Sequence, residues 1–511
     1  MLELKKNRGL IRWIAGGVLL LLVVFSYSFE QVPRFDGMGW DGIIYGGMMQ
    51  EFLSQFKGVG YSSYYIKKCL PFALINIFDT LFHVTDSYVT LVVFEMISIV
   101  LAVVAFYKTS NYLKLSTCAE TIAFALLFYT HFILRIGYLP YQGDVFAFSI
   151  SMWIFYFFVS KQLWKMLALS IVGAFVWQSI WPISLLLFVL PQEGFNLVDG
   201  KHVSQRYGKV LNTVKIAMSL GLLVVPLKMF MFAEKKFGSW SRFSDTVPYF
   251  FEEIPVWMCV ISIVSVCILL YLSIKPLVFN VGDFIKHTMK SFHWGNLIVV
   301  IVLFFLMKYV VSCLSNADGS GSFIGINFLR RLFFEPFTIP YKFFASHLAN
   351  EGLMVCFLIV FYKPVWEFVS EHSIGYIAVF IMALFFGTQT ESRFILNLFP
   401  FLVFPISVVI SRLNLKKWVP YLVCVGQLLL SLFWYKTNTP TLAQALEIEN
   451  DEAYMSGEAQ RVFYYLGPWM GRMPYIVFLL IFVSVMIFMY LGKKYGWFVL
   501  CEKDKEESER I

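Results

Sequence analysis

The chain has 511 residues, 59% of them hydrophobic and only 14% charged, and its mean hydropathy is +0.71. That apolar share exceeds what a soluble globular domain carries, and the apolar runs are continuous, so they predict membrane-crossing helices rather than a barrel's weak alternation. The net charge of +8 comes mainly from short Lys/Arg clusters beside those runs, which is the positive-inside pattern and argues against nucleic acid. The eight cysteines are scattered singly with no CxxC, so neither a disulfide framework nor a zinc site is indicated.

In chain order, Lys5, Lys6, Arg8 and Arg12 precede an apolar run at 13–29 with no small-residue cleavage site after it. An uncleaved anchor with its cations inside follows, which puts the loop at 30–85 outside. Within that loop, apolar positions at helical spacing over 42–56 and a short apolar run at 69–82 predict two helices lying in or near the interface. Further spans are expected at 88–107, 117–134 and 145–159. The run at 163–190 is too long for one ordinary crossing, is interrupted by Gln178, Trp181 and Pro182, and is basic on both flanks. It predicts a broken, re-entrant pair.

Spans at 210–232, 255–274, 297–313, 340–362, 374–388, 394–411, 418–435 and 475–491 complete the set. The expectation is an all-α, polytopic transmembrane bundle: one membrane-embedded domain of roughly twelve crossings over 1–511. A last outer loop lies at 437–472 and a cytoplasmic tail at 493–511, so both termini are cytoplasmic.

With no large extramembrane domain, function falls to the outer turns. Asp36 and Asp41 sit in the glycine-rich stretch 34–45. That stretch formally contains GxGxxG, but it follows a span and carries Trp40 where a phosphate would need close backbone approach. The glycines instead suit a tight loop, and Asp41 reads either as an inward-facing carboxylate or as the cap of the next helix. Asp144 likewise caps a span or holds a substrate hydroxyl or divalent cation. Glu391 and Arg393 form either a local ion pair or an arginine site for lipid phosphate. Lys67, Lys68, Arg135, Arg242, Arg330 and Arg331 are cations on the outer face, against the usual bias, and an anionic lipid head group would account for them. No Walker A loop, HExxH or GxSxG is present.

These features together resemble the GT-C-type integral-membrane glycosyltransferases, in particular bacterial members that use polyprenyl-phosphate sugars. The resemblance is carried by the Asp-bearing first outer loop with Tyr45, by Tyr64-Tyr65-Ile-Lys-Lys-Cys-Leu-Pro71, Gly143-Asp144, Gln178 and Glu391-Ser-Arg393. It implies a cytoplasmic (inner) membrane enzyme that moves a sugar from a polyprenyl-phosphate-linked donor to a glycan or lipid acceptor, among membrane lipids and on the outer face. By the same resemblance Asp41 is the first catalytic acid and Asp36 the second. Lys68, Lys67, Arg393 and Arg135 contact donor phosphate; Tyr45, Asp144, Glu391 and Gln178 support. A divalent cation, Mg or Mn, is a possible cofactor with no ligand set assigned. Lys68 and Gln178 stand where many relatives carry other residues. Two other readings remain: a polymerase or ligase of lipid-linked oligosaccharides, which should depend more on arginines, and a glycolipid transporter or flippase, for which Glu95 and Lys308 are the main intramembrane charges.

Overall fold

The computed structural model describes residues 2–33, 35, 37–39, 41–56, 60–198, 205–221, 224, 256–316, 336–337, 339–432, 444, 467, 470 and 472–500. Asp36, Arg242, Arg330 and Arg331 lie outside the described residues, as do most of the 437–472 loop and the tail beyond 500. The described chain is mostly helical, with almost no strand. Its first half comprises α1 (Leu2–Ser26), α2 (Gly42–Phe56), α3 (Ser63–Ile66), α4 (Leu70–Phe82), α5 (Ser87–Tyr112), α6 (Thr117–Phe128), α7 (His131–Leu134), α8 (Asp144–Val159), α9 (Leu163–Gly173) and α10 (Ile180–Val189). There follow α11 (Gln205–Gly221), α12 (Val256–Ile274), α13 (Val281–Lys290), α14 (Trp294–Leu314), α15 (Lys342–Glu351), α16 (Met354–Val360), α17 (Tyr362–His372) and α18 (Ile374–Phe386). The last are α19 (Phe399–Ser411), α20 (Val419–Leu430) and α21 (Arg472–Lys494), with β1 (Leu413–Leu415) paired antiparallel to β2 (Phe498–Leu500).

Among the described residues, six helices are long and apolar enough to cross a membrane: Arg8–Ser26, Ser87–Tyr112, Trp257–Ile274, Trp294–Leu314, Ser392–Ser411 and Met473–Lys494. Several other expected spans appear as shorter apolar helices, and two are broken for identifiable reasons. The run at 117–134 stops at Tyr129, and Thr130 caps a new short helix by accepting from the Ile133 N–H at 3.3 Å. The run at 340–362 breaks at Gly352, whose φ is +70°. There the side chain of Gln427 fills the gap: its Nε2 donates to the Glu351 carbonyl at 2.8 Å, and its Oε1 accepts from the Leu353 N–H at 2.9 Å. A broken helix in an apolar setting needs such a substitute partner.

Similar repairs occur elsewhere. Pro405 inside α19 has no N–H for the Phe401 carbonyl, and the Tyr376 hydroxyl donates to that carbonyl at 2.9 Å. The helix α2 is kinked at Glu51 (φ −136°), where Asn76 of α4 donates to the carbonyls of Met49 and Gln50 at 2.8 and 2.9 Å. This fastens the two helices expected near the interface to each other. The expected broken pair is present as α9 and α10, joined by a turn over 174–179.

The bundle is organised around α19, which is buried over nearly its whole length. Phe404 stacks on Phe155 of α8 (centroids 4.8 Å apart, planes at 5°) and on Phe106 of α5 at 5.7 Å. Such aromatic pairs add to the burial of their area. Polar clusters mark the two ends. At one end Arg8 and Arg12 of α1 pair with the buried Glu120 at the start of α6, and Arg12 also donates to Asn111 at 2.6 Å. At the other end lie the segments around Asp41, Asp144 and Arg393.

Candidate functional site

The first loop is pinned onto the segment leading into α8. The Val32 N–H donates to the Tyr138 carbonyl at 3.0 Å. Gly39 (φ +73°) lies so near Leu139 that a Cβ would come within 2.6 Å of Leu139 Cδ1 and displace that side chain, and its backbone angle is one that favours glycine. The loop then turns into α2, where the Asp41 carbonyl accepts from the N–H groups of Ile44 and Tyr45 at 3.1 and 3.3 Å. One turn on, Tyr45 is buried, stacked on Phe72 (4.5 Å, 10°), and its hydroxyl has no hydrogen-bond partner among the described residues.

The Asp41 carboxylate faces α3. Its Oδ2 accepts from the Tyr64 hydroxyl at 3.1 Å, and the Tyr65 phenol lies within its electrostatic reach. The Tyr64 oxygen in turn accepts from Lys68 Nζ at 2.7 Å. Burial, together with the adjacent Asp41, raises the Tyr64 phenol well above its ordinary range, so it remains protonated and able to donate. Lys68 is 8% exposed and lies over the rings of Tyr64 (4.3 Å) and Trp177 (4.8 Å). Trp177 belongs to the turn between α9 and α10, which the Leu70 N–H holds through the Phe175 carbonyl at 3.1 Å. Burial first, then the nearby Arg393, push the Lys68 ammonium down to about 8, against the pull of Asp41, Asp144 and Glu391.

The third component is the turn carrying Glu391 and Arg393. Arg393 Nε donates to Glu391, and its Nη1 donates to Gln142 Oε1 at 2.8 Å. This turn is gripped from below by one face of α15. Ser346 donates to the Thr390 carbonyl, His347 meets Ser392 Oγ at 2.9 Å and the Gly387 carbonyl at 2.7 Å, and Asn350 donates to Ser392 Oγ at 3.2 Å. Gln142 immediately precedes Gly143 (φ +72°), which makes Asp144 the first residue of α8 rather than its cap. Asp144 is buried and its Oδ1 has no hydrogen-bond partner among the described residues. Glu391 and Arg393 therefore do form the local ion pair, and the same arginine also spans to the loop before Asp144.

The structure thus brings Asp41, Lys68, Asp144, Glu391 and Arg393 into one electrostatic cluster, with Tyr45 beside it. The other expected residues stand at different distances from it. Lys67 is half-exposed at the end of α3, so of the lysine pair only Lys68 turns inward. Arg135 packs on the Phe29 ring at 5.2 Å and lines a cavity of about 40 Å³ with Glu95, His131, Gln142 and Asp144, a lining that does not include Lys68. Gln178 is half-buried next to Trp177, its Nε2 without a hydrogen-bond partner among the described residues. Asp36 lies outside the described residues.

Three contributors were not singled out in the sequence as site residues. Tyr64 was visible only as part of a motif, Gln142 only as a neighbour of Gly143-Asp144, and Trp177 only as a neighbour of Gln178. Among the described residues no group of three or more His, Cys, Asp or Glu is placed to hold a metal ion. Within the described cluster, Lys68 and Arg393 are the positive charges beside Asp41, Asp144 and Glu391. Of the charges suggested for a transporter, Glu95 is buried and accepts from the Tyr27 hydroxyl at 2.6 Å, while Lys308 is exposed on α14. Comparison with known protein families, curated proteins and solved structures finds no match to this chain.

Proposed function

We propose that the protein is a membrane glycosyltransferase of the GT-C type, moving a sugar from a polyprenyl-phosphate donor to a lipid-linked or cell-surface glycan acceptor. In this reading the chain crosses the cytoplasmic membrane roughly twelve times, with the shorter apolar helices completing the crossings, both termini cytoplasmic and the Asp41 cluster outside. One observation carries the proposal: an acid, Asp41, and a buried cation, Lys68, share the Tyr64 hydroxyl, with Arg393 in electrostatic reach of both.

Transfer from a lipid phosphate needs a group to take the acceptor's proton and a group to receive the charge of the departing phosphate. Asp41 takes the proton as the new glycosidic bond makes the hydroxyl acidic. The bond from the sugar carbon to the phosphate oxygen breaks with its electron pair going to phosphate, and Lys68 and Arg393 stabilise that charge. Tyr64 holds both partners at fixed separation, so positioning supplies much of the rate. A single displacement of this kind inverts the sugar carbon.

Asp41→Asn keeps the size and removes the charge. Purified protein carrying it should lose roughly a hundredfold or more of its transfer from a polyprenyl-phosphate sugar. Transfer at the unmodified rate would overturn the assignment.

A further inference from the structure

A second site lies at the opposite end of α19 from Arg393, a helix of 13 residues and so about 20 Å long. There α16, α20 and α21 leave an apolar groove of about 270 Å³. Its floor is made of buried side chains, Phe357, Val419, Val423 and Met489, and its lips of half-exposed ones, Trp418 and Phe488. Gly426 lines the groove without a side chain to fill it. At the rim Trp497 packs against both Trp418 (5.6 Å) and Phe488 (5.1 Å), a cluster of the kind that sits at the level of lipid head groups.

Four described lysines gather at this rim. Lys416 and Lys417 directly precede Trp418, and Lys493 and Lys494 end α21 one turn beyond Met489; all four side chains are exposed. The β1–β2 pairing, with Leu415 opposite Phe498, ties the two lysine pairs to the same edge of the bundle. An apolar slot of acyl-chain character that opens beside four cations matches a ligand with a hydrocarbon tail and a negative head.

We propose that this groove binds a single membrane phospholipid with an anionic head group. Its acyl chain occupies the slot over Gly426, and its phosphate lies among Lys416, Lys417, Lys493 and Lys494. The site is distinct from the Asp41 cluster, and its occupancy requires no catalysis.

The test uses the full-length protein, incubated in mixed phosphatidylcholine and phosphatidylglycerol vesicles, re-extracted in mild detergent and examined by native mass spectrometry. The unmodified protein should retain phosphatidylglycerol in preference to phosphatidylcholine. Lys416→Gln with Lys417→Gln, both exposed and safe for folding, should reduce that preference by about thirtyfold, since each juxtamembrane cation contributes about fivefold. Gly426→Leu should lose both lipids. Gly426→Ala should keep them and report that the groove still folds, because its added Cβ meets only Leu353 Cδ1, at 3.4 Å. Equal retention of the two lipids by the unmodified protein, or a preference unaltered by the lysine substitutions, would overturn the proposal. So would lipid that binds only after residues 502–511 are removed, which would make the acidic tail the occupant.

Discussion

Lys68 is the residue on which stability and function should pull apart. In the folded protein its ammonium is pushed from the ordinary 10.5 down to about 8, chiefly by burial and by Arg393. A lysine whose folded value lies below its unfolded value is carried at a cost whenever it is charged. That cost is fully present below pH 8 and is relieved as the pH rises from about 8 towards 10.5, because the unfolded chain then holds the proton that the folded chain has released. The size of the shift makes the cost about 3 kcal/mol. Lys68→Met keeps the length and the packing over Trp177 while removing the charge, so the purified variant at pH 7 should be more stable by part or all of this amount and should unfold at a higher temperature than the unmodified protein. In the same variant, binding of a polyprenyl-phosphate sugar should weaken by roughly tenfold or more, the loss of one charge-assisted hydrogen bond. In the unmodified protein, donor binding should fall as pH rises through about 8 while stability rises. A lower unfolding temperature for Lys68→Met at pH 7 would refute the reasoning, because it would make the buried cation a stabilising element rather than a functional strain.

Arg393→Lys keeps the charge but cannot serve Glu391 and Gln142 at once from a planar fork; the KM for the donor should rise several-fold. A ligase-type mechanism would instead show a loss in Arg393 variants exceeding that in Asp41→Asn, so assaying the two in parallel separates the readings. Gln427→Leu strands the Leu353 N–H and the Glu351 carbonyl in an apolar setting, at about 1–3 kcal/mol for each. Its unfolding temperature should fall markedly, and an unaltered melting curve would mean that the break at Gly352 is satisfied in another way.

The last of these turns on a contact that sequence reading could not have found. The run 340–362 is apolar enough to look like one crossing, and its interruption depends on Gln427, a residue 75 positions from Gly352 whose single amide satisfies both sides of the gap. Likewise α13 is too short and too polar to read as a span, and it is an amphipathic ten-residue helix capped by Asn280. The break near Gln178 was legible, by contrast, because an over-long apolar run with basic flanks has few arrangements open to it.

The candidate site divides in the same way. Asp41, Lys68, Asp144, Glu391 and Arg393 could each be singled out from local context, as charged groups next to apolar runs where charge is costly. That Lys68 rather than Lys67 turns inward follows from where the short helix α3 ends, and that Asp144 begins a helix rather than capping one follows from the left-handed Gly143. Composition and the order of apolar runs therefore determined by themselves that the chain is helical, with helices long and apolar enough to cross a membrane, and which turns carry charge, since helix length and apolar content are local properties of the chain. Tertiary structure alone decided that Tyr64 links Asp41 to Lys68 and that Gln142 brings Arg393 to Asp144's turn. Hydrogen bonds of about 3 Å between segments separated by up to 251 positions depend on how helices pack, which no local pattern encodes.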